Sequence, residues 1–135
     1  MPNDREIPGS PAEWLAYARR DLAMARVPLP EGGAYASLCF HAQQAAEKAI
    51  KAVYRSRDQR FRYTHDIDDL LDGLERLGME VPEAVWEAAD LTRFAWEARY
   101  PGFGESVSGQ EYEQAVTLAE HALKWATTLV ERCAL

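Results

Sequence analysis

The stretch Cys39-Phe40-His41-Ala42-Gln43-Gln44-Ala45-Ala46-Glu47-Lys48-Ala49-Ile50-Lys51-Ala52 decides the fold. It reads as the middle of a long helix running from about Ala34 to Arg57. Leu38, Ala42, Ala45, Ala49 and Val53 form an apolar stripe along it, and the small alanines let neighbouring helices approach closely. His41, Gln44, Lys48, Lys51 and Arg55 form a second, polar stripe, because residues three and four apart share a helix surface.

The flanking sequence supplies partners for that helix. Residues 1–9, with Pro2, Pro8 and Gly9, read as a flexible N-terminal arm. Ser10, Pro11 and Glu13 then form a capping box for a first helix. Its inward face is Trp14, Leu15, Ala18, Leu22 and Ala25, with Arg19, Arg20 and Asp21 on the other side. Pro28 to Gly33 breaks the chain into a loop.

After the long helix, Arg60-Phe61-Arg62-Tyr63 is a short linker and Thr64 is placed to cap a third helix. Asp66, Asp68 and Asp69 fall in its first turn, where acids favour the positive helix end, and Ile67, Leu70, Leu71, Leu74 and Leu77 form its core face. Gly78 stops it. A fourth helix opens at Pro82, runs through Val85, Trp86, Ala89, Leu91, Phe94, Ala95 and Trp96, and ends near Arg99-Tyr100 because Pro101 disfavours helix before it. After a glycine-containing loop, Ser108 and Glu111 repeat the capping box. The fifth helix turns Tyr112, Ala115, Leu118, Ala119, Ala122, Trp125, Ala126, Leu129 and Cys133 inward. The expected fold is therefore an all-α, five-helix antiparallel up-and-down bundle, a single domain over residues 10–135.

Composition agrees. The chain has 135 residues, 47% of them hydrophobic and 27% charged, with a formal charge of −7. That excludes a disordered polymer, and domains of roughly 100–150 residues leave no room for two. Cys39 and Cys133 imply no disulfide framework and read as small core residues. No segment has the length and apolarity of a membrane span and no secretory leader is visible, so a cytoplasmic protein is expected. No paired histidines or cysteines mark a metal site, and no glycine loop marks a phosphate cradle, so neither metal nor cofactor is implied.

The acidic total argues against a general nucleic-acid coat. Yet Lys48, Lys51, Arg55, Arg57, Arg60 and Arg62 stand against the single acid Asp58. Cations near a helix C-terminus stabilise it while remaining solvated, which accounts for Lys51 and Arg55. Arg57, Arg60 and Arg62 continue into the linker with Phe61 and Tyr63 between them, a pattern suited to phosphates and bases or to an acidic partner protein. Trp86, Phe94, Trp96 and Tyr100 also have two readings: an interface with a second copy in a two-fold dimer, or the chain's own core.

Four segments resemble one family. Trp14-Leu15 with Ala18, Asp21 and Leu22 is similar to the first helix of HEPN domains (higher eukaryotes and prokaryotes nucleotide-binding). The segment from Cys39 to Ala52 resembles the second helix, Thr64-His65-Asp66-Ile67 with Leu70-Leu71 the start of the third, and Ala98-Arg99-Tyr100-Pro101 the close of the fourth. The resemblance implies a helical bundle that dimerises through its fourth-helix region and associates with a small nucleotidyltransferase encoded alongside. Many members are ribonuclease toxins in such pairs, and others bind nucleotides.

The ribonuclease members carry an arginine where Arg99 stands and a histidine a few residues later. Metal-independent cleavage uses the RNA 2′-hydroxyl as nucleophile, so the protein supplies proton transfer and a cation for the developing phosphorane charge. Here Phe103, Gly104, Glu105 and Ser106 occupy the histidine's window, and the next histidine is His121. Glu105, with an ordinary pKa of about 4.3, is a poor acid near neutrality.

Arg99 and His65 are the candidate catalytic residues. Arg60 and His65 have the motif's spacing but lie between the second and third helices. His65 is read either as a hydrogen-bonded residue at a helix start or as a proton-transfer group, and His41 either as a packed polar residue or as a ligand contact beside Gln44 and Lys48. The expected function is a nucleotide- or RNA-binding dimeric module, partnered with a minimal nucleotidyltransferase in a toxin–antitoxin-like pair. Arg99, Tyr100, His41, Gln44, Lys48, Arg60 and Arg62 would contact the ligand. The alternative is a ribonuclease that uses Arg99 with a substitute proton-transfer residue.

Overall fold

The first helix starts where its own side chains dictate. Ser10 Oγ accepts from the Glu13 N–H at 3.1 Å, and the Glu13 carboxylate accepts from the Ser10 N–H at 2.8 Å. With Pro11 in the first turn, this box opens α1 (Pro11–Ala25). The computed structural model describes residues 9–97, 100–101 and 107–134. It continues with α2 (Tyr35–Ser56), α3 (Ile67–Arg76), α4 (Glu83–Trp86), a 3-10 segment (Glu87–Arg93), α5 (Phe94–Glu97) and α6 (Gly109–Ala134). There is no strand among the described residues, and the architecture is an all-α bundle.

α2 is its axis, packed chiefly against α1 on one side and α6 on the other. Every member of its predicted apolar stripe is buried. Fully buried alanines on all three helices, Ala18, Ala42, Ala49, Ala119 and Ala126 among them, keep the backbones close in one continuous core. α6 opens on the second predicted box: the Ser108 N–H donates to Glu111 at 2.9 Å and the Glu111 N–H to Ser108 Oγ at 3.1 Å. Hydrogen bonds to the carboxylate from the Ser108 N–H, and then from the Ser108 side chain, hold the Glu111 carboxyl below its ordinary pKa.

The fourth helix departs from the expected continuous α-helix. α4 gives way after one turn to 3-10 winding and regains α geometry only at α5. Val85, Ala88, Leu91 and Phe94 are each 2% exposed or less. They recur at every third residue, and 3-10 winding, with three residues per turn, brings such a row onto one face.

The third helix starts later than Thr64. Asp66 is the N-cap, and the Ile67 N–H donates to Thr92 Oγ1 at 3.0 Å, a cap supplied from the 3-10 segment. Thr64 Oγ1 instead accepts from the Asp66 N–H at 3.0 Å, one turn outside the helix.

The cysteines separate. Cys39 is buried, and burial pushes its thiol up to about 11. Cys133, expected inward, is exposed: Val130 is buried, and Glu131, Arg132 and Cys133 after it are all exposed. In the linker, Phe61 is buried edge-on against Trp14 at 5.4 Å, while Tyr63 is 88% exposed. No described helix is long and apolar enough to cross a membrane.

Candidate functional site

Asp21 organises the seam between α1 and α2. Expected on the outer side of α1, it is instead largely shielded and turned toward α2, where its carboxylate meets two members of the polar stripe. Lys48 Nζ donates to one oxygen at 2.6 Å and His41 Nδ1 lies 3.1 Å from the other. His41 and Lys48 are two helical turns apart on α2, so one acid from the facing helix can reach both. A carboxylate oxygen only accepts, so the hydrogen on this contact sits on Nδ1.

Tyr17, one turn before Asp21 on α1, is half exposed. The Arg20 guanidinium stands 4.6 Å from its ring centroid and Lys48 Nζ 6.0 Å. Two cations therefore flank an open aromatic ring, with an imidazole and the amide of Gln44 further along the same face of α2.

A second network lies beside the first, inside the protein. Gln43, Glu47 and Lys51 follow each other at one-turn spacing on α2 and are all buried. Gln43 Nε2 donates to Glu47 Oε1 at 2.9 Å and to the His65 carbonyl at 3.2 Å, and Gln43 Oε1 accepts from Gln44 Nε2 at 2.7 Å. Glu47 Oε1 also meets His65 Nδ1 at 3.0 Å, and Glu47 Oε2 accepts from Lys51 Nζ at 2.7 Å. Lys51 Nζ lies 5.1 Å from the Phe61 ring centroid and 5.7 Å from that of Trp14. The expectation that Lys51 is a solvated cation is therefore corrected: at 7% exposure it is a core residue whose charge is met by Glu47 and two aromatic rings.

The sequence-predicted site residues fall into three groups. His41, Gln44 and Lys48 share the α1–α2 seam. Arg60 and Arg62 line a separate cleft between the linker and α3, and Arg62 reaches Asp69 at 3.8 Å. Tyr100 stacks on Trp96 at 6.2 Å with 15° between the rings, both exposed. Arg99, the residue range 103–106 and the arm over residues 1–8 lie outside the described residues.

His65 is not bonded only locally: it ties the linker to α2 through Glu47 and Gln43. Of the four aromatics on the fourth segment, Phe94 is core and Trp86 is half-buried with Nε1 donating toward Glu75 at 3.4 Å. Trp96 and Tyr100 face outward, at 60% and 49% exposure. Sequence reasoning missed Tyr17, Asp21, Gln43 and Glu47. The signal for the last two was the spacing Gln43, Glu47, Lys51, which gives polar residues a row of their own among alanines.

Comparison with known proteins matches residues 11–130 to the model of the HEPN domain. The chain belongs to the HEPN family. Its fold is similar to the crystal structure of an archaeal HEPN homologue, with 26% identity, a TM-score of 0.74, and 91% of this chain and 99% of that one covered. No curated protein matches the chain. The HEPN match spans every residue of both α2 networks, and Asp21, His41, Gln43, Glu47, Lys48 and Lys51 all lie in its first two helices.

Proposed function

We propose that this HEPN protein is a nucleotide- or RNA-binding dimeric module, partnered with a minimal nucleotidyltransferase in a toxin–antitoxin-like pair, and that its own ribonuclease motif is degenerate. The observation that carries the binding role is the α1–α2 seam. There Arg20 and Lys48 flank the exposed Tyr17 ring and Asp21 fixes the direction of Lys48 and His41. Cations neutralise phosphate while an open ring stacks a base. Arg99 adds a guanidinium suited to bidentate phosphate contact at the end of the fourth segment. The absence of histidine among residues 103–106 leaves that arginine without the family's proton-transfer group.

Fluorescence polarisation with a labelled single-stranded oligoribonucleotide tests this. The wild type should bind without cutting, Lys48→Ala and Arg99→Ala should each weaken binding several-fold, and Tyr17→Ala should weaken it further. Binding unaffected by all three changes would remove the seam and Arg99 from the proposal. The dimer is supported by the outward-facing Trp96–Tyr100 stack. Light scattering should give twice the chain mass, and Trp96→Ser should shift it toward the monomer. Co-purification with the nucleotidyltransferase encoded alongside checks the partnership.

One observation favours the ribonuclease alternative. His65 Nδ1 is held by Glu47 at 3.0 Å, the arrangement in which a carboxylate orients an imidazole for proton transfer. Glu105 could serve in its place only with a raised pKa. Cleavage of the oligoribonucleotide by purified protein, lost in both Arg99→Ala and His65→Ala, would establish the enzyme reading in place of the binding one.

A further inference from the structure

The basic linker is not a uniform charged surface; the fold sorts its residues. Phe61 is drawn into the core against Trp14 and Tyr54, at 5.4 and 6.1 Å between ring centroids. In the extended segment around it, the residues on either side, Arg60 and Arg62, are left exposed. α3 then adds a cation that the linker sequence does not contain. Arg76, in its last turn, lines with Arg60 and Arg62 one cleft of about 230 Å3. Gln59 completes the rim, and Tyr54 and Gly73 lie toward its floor.

Gly73 is required by that floor. A Cβ there would overlap the Tyr54 hydroxyl, which donates to the Leu70 carbonyl at 2.5 Å. Three arginines thus face one acid lining the cleft, Asp69, and Arg62 approaches it only at 3.8 Å while its side chain is 78% exposed. Helix dipole stabilisation accounts for Arg76 at the end of α3. It does not account for Arg60 and Arg62, which lie beyond the last turn of α2.

Gathering three guanidiniums in a chain of net charge −7 has an electrostatic cost that an anion would offset. The neighbouring side chain says which anion. Tyr63, directly after Arg62, is 88% exposed, the highest value among the described large hydrophobic residues. An exposed ring one residue along the chain from Arg62, outside the cleft lining, suits a nucleotide chain that runs on from the cleft, whose bases stack while its backbone is neutralised; an acidic peptide offers the charge but no flat base. We infer that the Arg60–Arg62–Arg76 cleft is a second nucleic-acid site that takes the phosphate backbone of single-stranded RNA, with Tyr63 stacking an adjacent base. The inference rests on the RNA-binding reading above and places a contact on a different face from the α1–α2 seam.

The test is salt-dependent polarisation with the same labelled oligoribonucleotide. Each phosphate neutralised on a single strand contributes about 0.7 to the slope of log affinity against log salt. The triple change Arg60→Ala/Arg62→Ala/Arg76→Ala should therefore lower that slope by about 2 and weaken binding by roughly tenfold or more. The triple Arg→Lys variant should keep the slope, which separates loss of charge from loss of fold. Tyr63→Ala should weaken binding about fivefold or more with the slope unchanged.

If the wild type binds RNA and the triple alanine variant binds equally tightly, the cleft inference falls while Lys48→Ala and Arg99→Ala still report on the seam. If the wild type binds no RNA, the broader reading falls with it. Tighter binding of a poly-glutamate peptide than of RNA, lost in the triple variant, would make the cleft a docking surface for an acidic protein and overturn the RNA assignment.

Discussion

Two carboxylates serve neighbouring rows of α2 under opposite conditions. Glu47 is 2% exposed, and its oxygens take hydrogen bonds from the buried Gln43 and Lys51 and from His65, whose ring reaches in from the surface. Asp21 is a partly open acid that takes one bond each from His41 and Lys48, and both donors reach the surface. The first arrangement is turned inward: its bonds to His65 hold the linker onto α2, and Lys51 faces the Trp14 ring of α1. The second fixes the direction of its cation while leaving that cation reachable. Charged residues at adjacent helical positions can therefore build the core in one case and a binding surface in the other, and the difference is set by what the facing element supplies.

Breaking the closed network should have the largest effect. Glu47→Ala leaves Lys51 charged and buried without a counter-ion and strips the partner from His65 Nδ1. Loss of one member of a buried pair costs about 3–5 kcal/mol, and urea denaturation should show a loss of that size. The paired change Glu47→Leu/Lys51→Met sharpens the point. It removes both charges at similar volume and should cost on the order of 1 kcal/mol or less, far below the single change. A double-mutant loss as large as the single one would mean that the bonds to Gln43 and His65, rather than the uncompensated charge, dominate.

The open network should respond in the other direction. Asp21→Asn removes the acceptor charge from two partly exposed donors, and pairs near the surface contribute about 0.2–1 kcal/mol. Its stability loss should be small beside that of Glu47→Ala. RNA affinity should hold, because the asparagine amide oxygen still accepts from Lys48 and keeps its direction while adding no negative charge.

The same contrast explains which parts of the molecule could be read in advance. Both capping boxes, at Ser10 and Ser108, were legible because their partners lie three residues away. The start of α3 was misread because its cap, Thr92, is 25 residues distant from Ile67. The alanine stripe of α2 was legible as a core face by periodicity alone. Lys51 was not, since its burial depends on Trp14 and Phe61 arriving from other elements. The spacing Val85, Ala88, Leu91, Phe94 did signal 3-10 winding, but a mixed run of apolar residues around it masked the three-residue period. At the candidate site, His41, Gln44 and Lys48 were found from their shared stripe, while Asp21 and Tyr17 required knowing which face of α1 meets α2.

The thiols extend the comparison of closed and open environments. Burial holds Cys39 protonated far above neutrality, with its thiol pushed up to about 11, whereas Cys133 is exposed. The thiolate is the reactive form. Ellman's reagent should therefore titrate one thiol per native chain quickly and the second only on unfolding, and Cys133→Ser should abolish the fast phase. A fast phase that survives Cys133→Ser would mean that the core around Cys39 opens on the reagent's timescale.

A third carboxylate is shifted by neighbouring acids rather than held by a cation, and it should give the smallest effect. Asp66, at the N-cap of α3, is pushed up from 3.8 to about 6, first by a side-chain hydrogen bond with Asp68, then by burial and by the charges of Asp68 and Asp69. A raised folded pKa means that the native state holds this proton more tightly than the unfolded chain does. The resulting stabilisation is fully present below pH 3.8 and is lost as pH rises through about 6. This is the reverse of the behaviour of a carboxylate held by cations, whose contribution is lost as pH falls. In Asp66→Asn the amide cannot ionise and serves comparably as a cap. The melting temperature of this variant should match wild type near pH 4, gain on it as pH rises to about 6.5, and keep that gain above the interval. Parallel curves through the interval would show that Asp66 and Asp68 do not share a proton in solution.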